Sequence, residues 1–158
     1  DEAMGTLPQL FADWENWCAD VAESHTTLPW LMSLRSPYRA RAWVACLLAV
    51  LDAAAVLAAA APKGAPAQAR QLLRGGVVAL RTLVEEDADD VPVHEDARLT
   101  GEQAADALRW LAERGLRMER ELGPAVDDLL HLRRRYDMLA ARIAEVTFAP
   151  ATPWSPDV

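Results

Sequence analysis

Lysine is nearly missing: Lys63 stands alone beside fifteen arginines in a chain of 158 residues. That imbalance reads as a codon bias of a GC-rich genome, not as phosphate recognition, because arginines prepared for phosphate cluster on one surface without carboxylates among them. The net charge of -8 excludes a general nucleic-acid binder, which needs a basic stripe. Cysteine is limited to Cys18 and Cys46, too few for a disulfide-stapled scaffold. Both fall on apolar helix faces and read as small buried residues. Histidine is limited to His25, His94 and His131, and no Glu-x-x-His or His-x-x-x-His pair is present to supply metal ligands from one helix face. Asp20, Glu23, Ser24 and His25 therefore read as the polar end of a helix, with His25 near its dipole. There is no glycine-rich phosphate loop, Cys-x-x-Cys pair or Ser/His/Asp constellation. No catalytic, cofactor-binding or metal-ligating residue is assigned, and the chain is read as a non-enzyme that needs no cofactor. No basic segment followed by an apolar stretch opens the sequence, so no signal peptide is expected. The first residue is Asp1 and not methionine, which suggests a trimmed or partial chain.

What is abundant is helix-forming material. Alanine contributes 31 residues and leucine 22, the two types that cost least in a helix interior. With 52% apolar and 25% charged residues, the chain is expected to fold as one domain over 1–158. The expected fold is all-α: a bundle of five or six helices with a C-terminal antiparallel helical hairpin and a proline-rich tail.

A first helix is predicted from about Pro8 to Glu23, capped by Thr6. Phe11, Trp14, Cys18 and Val21 form its apolar face, widened by Leu10 and Trp17. The polar break His25-Thr26-Thr27 precedes a short apolar piece, Leu28 to Met32, and Ser36-Pro37 interrupts the chain. The next helix, from about Tyr38 to Ala61, carries two apolar faces: Trp43, Leu47, Val50, Ala54, Leu57 and Ala61, beside Val44, Leu48, Leu51 and Ala55. Such a helix belongs in the centre of a bundle. Residues 43–61 also have the length of a membrane span, with Asp52 the single charge at their middle. A central aspartate costs about 2.5–3.5 kcal/mol on an insertion scale and each leucine or valine returns about 0.3–0.6, so the four leucines and three valines of this stretch together roughly cancel it. With no second span to shelter Asp52, the buried-helix reading is preferred.

After the turn at Pro62 to Pro66, a helix from about Pro66 to Glu86 carries Ala69, Leu72, Leu73, Gly76, Leu80, Leu83 and Val84. A close helix crossing explains its Gly75-Gly76 pair, each costing about 1 kcal/mol relative to alanine. Residues 85–96 hold seven acids and a proline and read as a solvated loop; with His94 it lacks the calcium-loop pattern. Thr100 and Gln103 then form a capping box. Ala104, Leu108, Leu111, Gly115, Met118 and Leu122 step by four and three. Beyond Gly123-Pro124, a turn or a kink, Leu129, Leu132, Tyr136, Leu139, Ile143 and Val146 repeat the period, as in a helix-pairing seam. Residues 150–158 form the extended tail.

Asp52 is the most informative single residue. An aspartate inside an apolar helix must be paired, protonated or solvated. Arg70, Arg74 and Arg81 on the next helix are its candidate partners, with a ligand or proton-sensing role as the alternative. Arg133-Arg134-Arg135 reads as a solvated helix face. Trp14, Trp43 and Trp110 fall on or beside apolar stripes and fill the core, line a pocket or form a subunit contact.

Three stretches also carry a resemblance. The first is Phe11-Ala-Asp-Trp14-Glu-Asn-Trp17-Cys18-Ala-Asp20-Val21-Ala-Glu23-Ser24-His25, followed by Thr26-Thr27-Leu28-Pro29-Trp30-Leu31. The second is Arg35-Ser36-Pro37 with Trp43 and Leu51-Asp52-Ala53-Ala54. The third is Arg134 and Tyr136 with Pro153-Trp154. Their order resembles the C-terminal cytosolic region of actinobacterial two-transmembrane, potassium-channel-like membrane proteins, over Phe11 to Trp154. The chain has no Thr-Val-Gly-Tyr-Gly filter and does not itself conduct ions. The resemblance implies a soluble appendage on the cytoplasmic side of the membrane, attached to membrane-spanning segments upstream of Asp1. It would regulate or assemble the channel, as a homo-oligomer formed through helix pairing. A soluble ligand-binding bundle with a tryptophan-lined pocket is the alternative function.

Overall fold

The computed structural model of the chain describes residues 2–28, 43–87 and 99–147. Over these it forms six helices and no strand: α1 (Glu2–Thr27), α2 (Trp43–Ala60), α3 (Ala67–Asp87), α4 (Gly101–Glu113), α5 (Leu122–Arg133) and α6 (Asp137–Thr147). The protein is an all-α bundle. The apolar piece after Leu28, Ser36-Pro37, most of the acidic segment with His94, and the proline-rich tail lie outside the described residues.

The doubly apolar helix occupies the centre. α2 packs on α1, α3, α5 and α6, while α1 runs along α3, α3 also meets α6, and α4 meets α5. Val44, Leu47, Leu51, Ala54, Ala55 and Leu57 are buried on it. Among the described helices α2 alone is long and apolar enough to cross a membrane, with a mean hydropathy of 2.2, and 56% of it is buried in the bundle. Every stripe residue named for α3, from Ala69 to Val84, is also buried.

Gly75 and Gly76 lie where α3 passes between its neighbours. A Cβ on Gly76 would sit 2.6 Å from Leu51 Cδ2 on α2, and one on Gly75 would sit 3.2 Å from Glu15 Cγ on α1. The cost of glycine in a helix is offset at Gly76 by a closer α2–α3 approach than any side chain permits.

The helix ends correct several expectations. α1 begins at Glu2, ahead of the expected start, so Thr6 and Pro8 both lie inside the helix and Thr6 is not its N-cap residue. It continues through His25 to Thr27, whose hydroxyl donates to the Glu23 carbonyl at 2.8 Å, and Leu10 is exposed. α3 runs on to Asp87, into the acidic segment. The hairpin turn between α4 and α5 occupies residues 114–121, ahead of Gly123-Pro124, which instead fall in the first turn of α5. Gly101, at the start of α4, lies beside Leu130 near the end of α5, so the two helices are antiparallel. A second break at residues 134–136 divides the last expected helix into α5 and α6.

Candidate functional site

The Asp52 carboxylate is drawn into an ion-pair cluster at the break between α5 and α6. The Tyr136 hydroxyl donates to Asp52 Oδ1 at 2.6 Å, and Arg133 Nε lies 3.4 Å from the same oxygen. Arg133 Nε also donates to Asp137 Oδ1 at 2.8 Å. The side chain of Arg133 is 6% exposed and that of Asp52 17%. Tight backbone bonds in the break, from Arg135 N to the Leu132 carbonyl and from Tyr136 N to the Arg133 carbonyl, accompany the turn that brings Arg133, Tyr136 and Asp137 to one place.

The pairing differs from expectation. Arg70, Arg74 and Arg81 do not reach Asp52, because the apolar stripe of α3 faces the bundle and turns these arginines to solvent. Arg70 Nη2 instead donates to the Pro62 carbonyl. Of the three consecutive arginines, Arg134 and Arg135 are exposed, but Arg133 is buried. The signal for Arg133 was present: it lies four residues after Leu129 and three before Tyr136, on the buried stripe itself.

Burial dominates the electrostatics. It pushes the Asp52 carboxyl up from 3.8 to about 6, against the guanidinium of Arg133 and the Tyr136 hydrogen bond, which favour the charged form, while Asp137 adds to the rise. The Tyr136 hydroxyl is held well above its ordinary value of 10.0, by burial first and then by the adjacent carboxylate.

Asp52 also lines an open groove of about 340 Å³. Its floor is α2, with the exposed Ala49 and Ala53 beside the buried Val56 and Leu57, and Leu7 of α1 contributes a further apolar side chain. The remaining wall is built by the end of α4. Gly115, at φ +101°, takes the left-handed conformation that terminates a helix. Its amide donates to the Ala112 carbonyl at 3.1 Å, and the Leu116 amide reaches back to the Leu111 carbonyl at 2.9 Å. This is the Schellman arrangement, in which the residue after the glycine pairs with the one five positions earlier. Both members of that pair, Leu111 and Leu116, line the groove. Glu119 fastens the rest of the hairpin turn: its carboxylate accepts from the Lys63 and Gly64 amides at 2.8 and 3.2 Å, and its own amide donates to the Ala60 carbonyl.

The tryptophans lie elsewhere. Trp14 and Trp17 meet edge to face at 4.9 Å between centroids, and Trp17 lies 6.1 Å from Trp43, joining α1 to the start of α2. Trp110 is exposed and carries the Arg114 guanidinium 3.8 Å above its ring. None of Trp14, Trp43 and Trp110 lines the groove, whose side chains apart from Asp52 are aliphatic. Cys18 is buried, its thiol pushed up to about 11 by burial and then by Glu15, whereas Cys46 is half-buried. No group of three histidine, cysteine or acidic side chains that could hold a metal ion occurs among the described residues.

Compared with protein-family models, with curated proteins and with solved structures, the chain shows no match to any of them.

Proposed function

We propose that this chain is a non-catalytic, ligand-binding regulatory domain whose binding element is the groove between α1, α2 and the α4–α5 turn. The observation that carries the reading is the opening of about 340 Å³ with aliphatic walls and one carboxyl. That volume lies within the range of small-molecule sites, which combine apolar lining with few polar groups. The titratable groups around it are engaged with one another, Asp52 with Tyr136 and Arg133, and Arg133 with Asp137, an arrangement suited to holding a shape. An uncharged solvatochromic dye tests the reading. Its emission should rise on binding the full chain. Ala53→Trp, which fills the groove from an exposed position, should abolish the rise while leaving the circular dichroism and melting temperature unchanged. Emission that ignores this substitution would remove the groove from consideration.

The tryptophan, aspartate and histidine landmarks from Phe11 to Trp154 support a second, compatible reading. In it the domain is the cytosolic appendage of a two-transmembrane channel-like protein and pairs with copies of itself through its helices. Its test is the coding sequence upstream of Asp1, where two apolar spans flanking a pore loop are expected. Their absence would end this reading and leave the first intact.

A further inference from the structure

We infer that the groove over Asp52 selects a small primary ammonium carrying an aliphatic tail, the tail lying along Val56, Leu57, Leu111 and Leu116 and the ammonium meeting Asp52 Oδ2. The inference rests on the binding reading above and names its ligand class. Three observations carry it.

The first is how the donors around Asp52 are distributed. The Tyr136 hydroxyl and Arg133 Nε both address Oδ1, at 2.6 and 3.4 Å, and no donor among the described residues reaches Oδ2. Asp52 lines the groove and its side chain keeps 17% exposure, so Oδ2 is the oxygen left for an occupant. A carboxylate oxygen in a partly desolvated site needs a donor, and a charged donor is the stronger one.

The second is charge. Arg133 Nε lies 3.4 Å from Asp52 Oδ1 and 2.8 Å from Asp137 Oδ1, so the cation beside Asp52 is shared with a second carboxylate and lies nearer to that one. The groups facing Asp52 from the α5–α6 break are Arg133, Tyr136 and Asp137. From α1, α4 and the α4–α5 turn the described lining is Leu7, Leu111 and Leu116, and none of these supplies a competing cation. The ionised Asp52 carboxyl attracts a cation and repels an anion.

The third is the lining. Every other lining side chain is alanine, valine or leucine, so affinity for the rest of the molecule comes from aliphatic burial. An alkylammonium matches both halves of the site. A hydrophilic diamine or a bare inorganic cation matches only the carboxylate.

The test is calorimetric titration of the full chain at pH 7.5 with n-hexylammonium, n-hexanol and n-hexanoate. Hexylammonium is expected to bind about tenfold more tightly than hexanol, the margin of one charged hydrogen bond, and hexanoate more weakly than either. Asp52→Asn keeps an acceptor for Tyr136 and should bring ammonium and alcohol to the same affinity. If that variant does not fold, the wild-type pH profile decides: the advantage of the ammonium must disappear as the solution is taken below pH 6, while hexanol binding stays level. Equal binding of hexylammonium and hexanol by the wild type overturns the ammonium assignment and leaves the groove reading standing. Failure of both probes together with the uncharged dye overturns both. Self-association that Ala53→Trp abolishes, with no probe bound, assigns the groove to a second copy of the chain and also overturns the inference.

Discussion

The hydroxyl of Tyr136 donates to the carboxylate of Asp52 at 2.6 Å across 84 positions of sequence, and so joins the α5–α6 break to the central helix. The contact is nearly buried on both sides, with Tyr136 at 0% exposure. Tyr136→Phe should keep the ring packing and lose the bond, lowering stability by about 1–2 kcal/mol. Because that bond favours the charged carboxyl, the same change should raise the Asp52 titration midpoint above about 6. Chemical denaturation measures the first effect and carbon-detected NMR titration the second. A midpoint that stays put in the phenylalanine variant would contradict the assignment.

The raised Asp52 carboxyl makes stability depend on pH in a defined direction. The folded value of about 6 lies above the ordinary 3.8 of an unfolded chain, so the native state holds this proton more tightly. The stabilisation is complete below pH 3.8 and is lost as pH rises through about 6, by on the order of 2–3 kcal/mol. The stability of wild type relative to Asp52→Asn should therefore fall between pH 4 and about 7. Parallel stability curves for the two proteins over that interval would count against it.

The two adjacent glycines of α3 should respond oppositely to alanine. At Gly76 the new methyl meets Leu51 at 2.6 Å inside the core, and Gly76→Ala should cost about 1–3 kcal/mol through overpacking. At Gly75 the neighbour is the flexible side chain of Glu15, whose Cγ at 3.2 Å can give by a few tenths of an ångström, so Gly75→Ala should be neutral or stabilising by up to about 1 kcal/mol. Thermal melts of the pair check the contrast. Equal losses would mean that the helices cross elsewhere.

Gly115→Ala should destabilise by about 1–2 kcal/mol, since φ +101° suits glycine and strains any side chain. The same substitution should weaken dye binding in the groove, because the Schellman turn places Leu116 on its wall. Gly123→Ala, in a helical first turn with open space around its α-carbon, should do neither.

Most of the helices were legible because their apolar residues recur at three and four over long runs. The capping box of Thr100 and Gln103 is present as read, with Thr100 Oγ1 accepting from the Gln103 amide at 3.2 Å. The two C-terminal breaks were not legible, for a specific reason. Gly115 sits in phase with Leu108 and Leu111 and so passes as a stripe position, while its backbone leaves the helix. Tyr136 stays in phase with Leu129 and Leu132 across a turn that interrupts the helix. Periodicity records which side chains face inward and is blind to a turn that preserves that facing. Arg133 was hidden by composition: three consecutive arginines suggest a wet surface, yet one of them lies on the buried side. The groove could not be read at all, since Leu7 of α1, Ala53 in the middle of α2 and Leu116 in the α4–α5 turn are brought together only by packing.

The hold of Glu119 on the amides at Lys63 and Gly64 has a mechanical consequence. With the Glu119 amide bonded to the Ala60 carbonyl, it anchors the strap bearing Leu116 to the last residue of α2 and the turn just beyond it. Dilating the cleft for a bulkier guest thus requires pivoting about that anchor or releasing it. A bulky guest should therefore disturb the junction between α2 and α3 as well as the walls it touches.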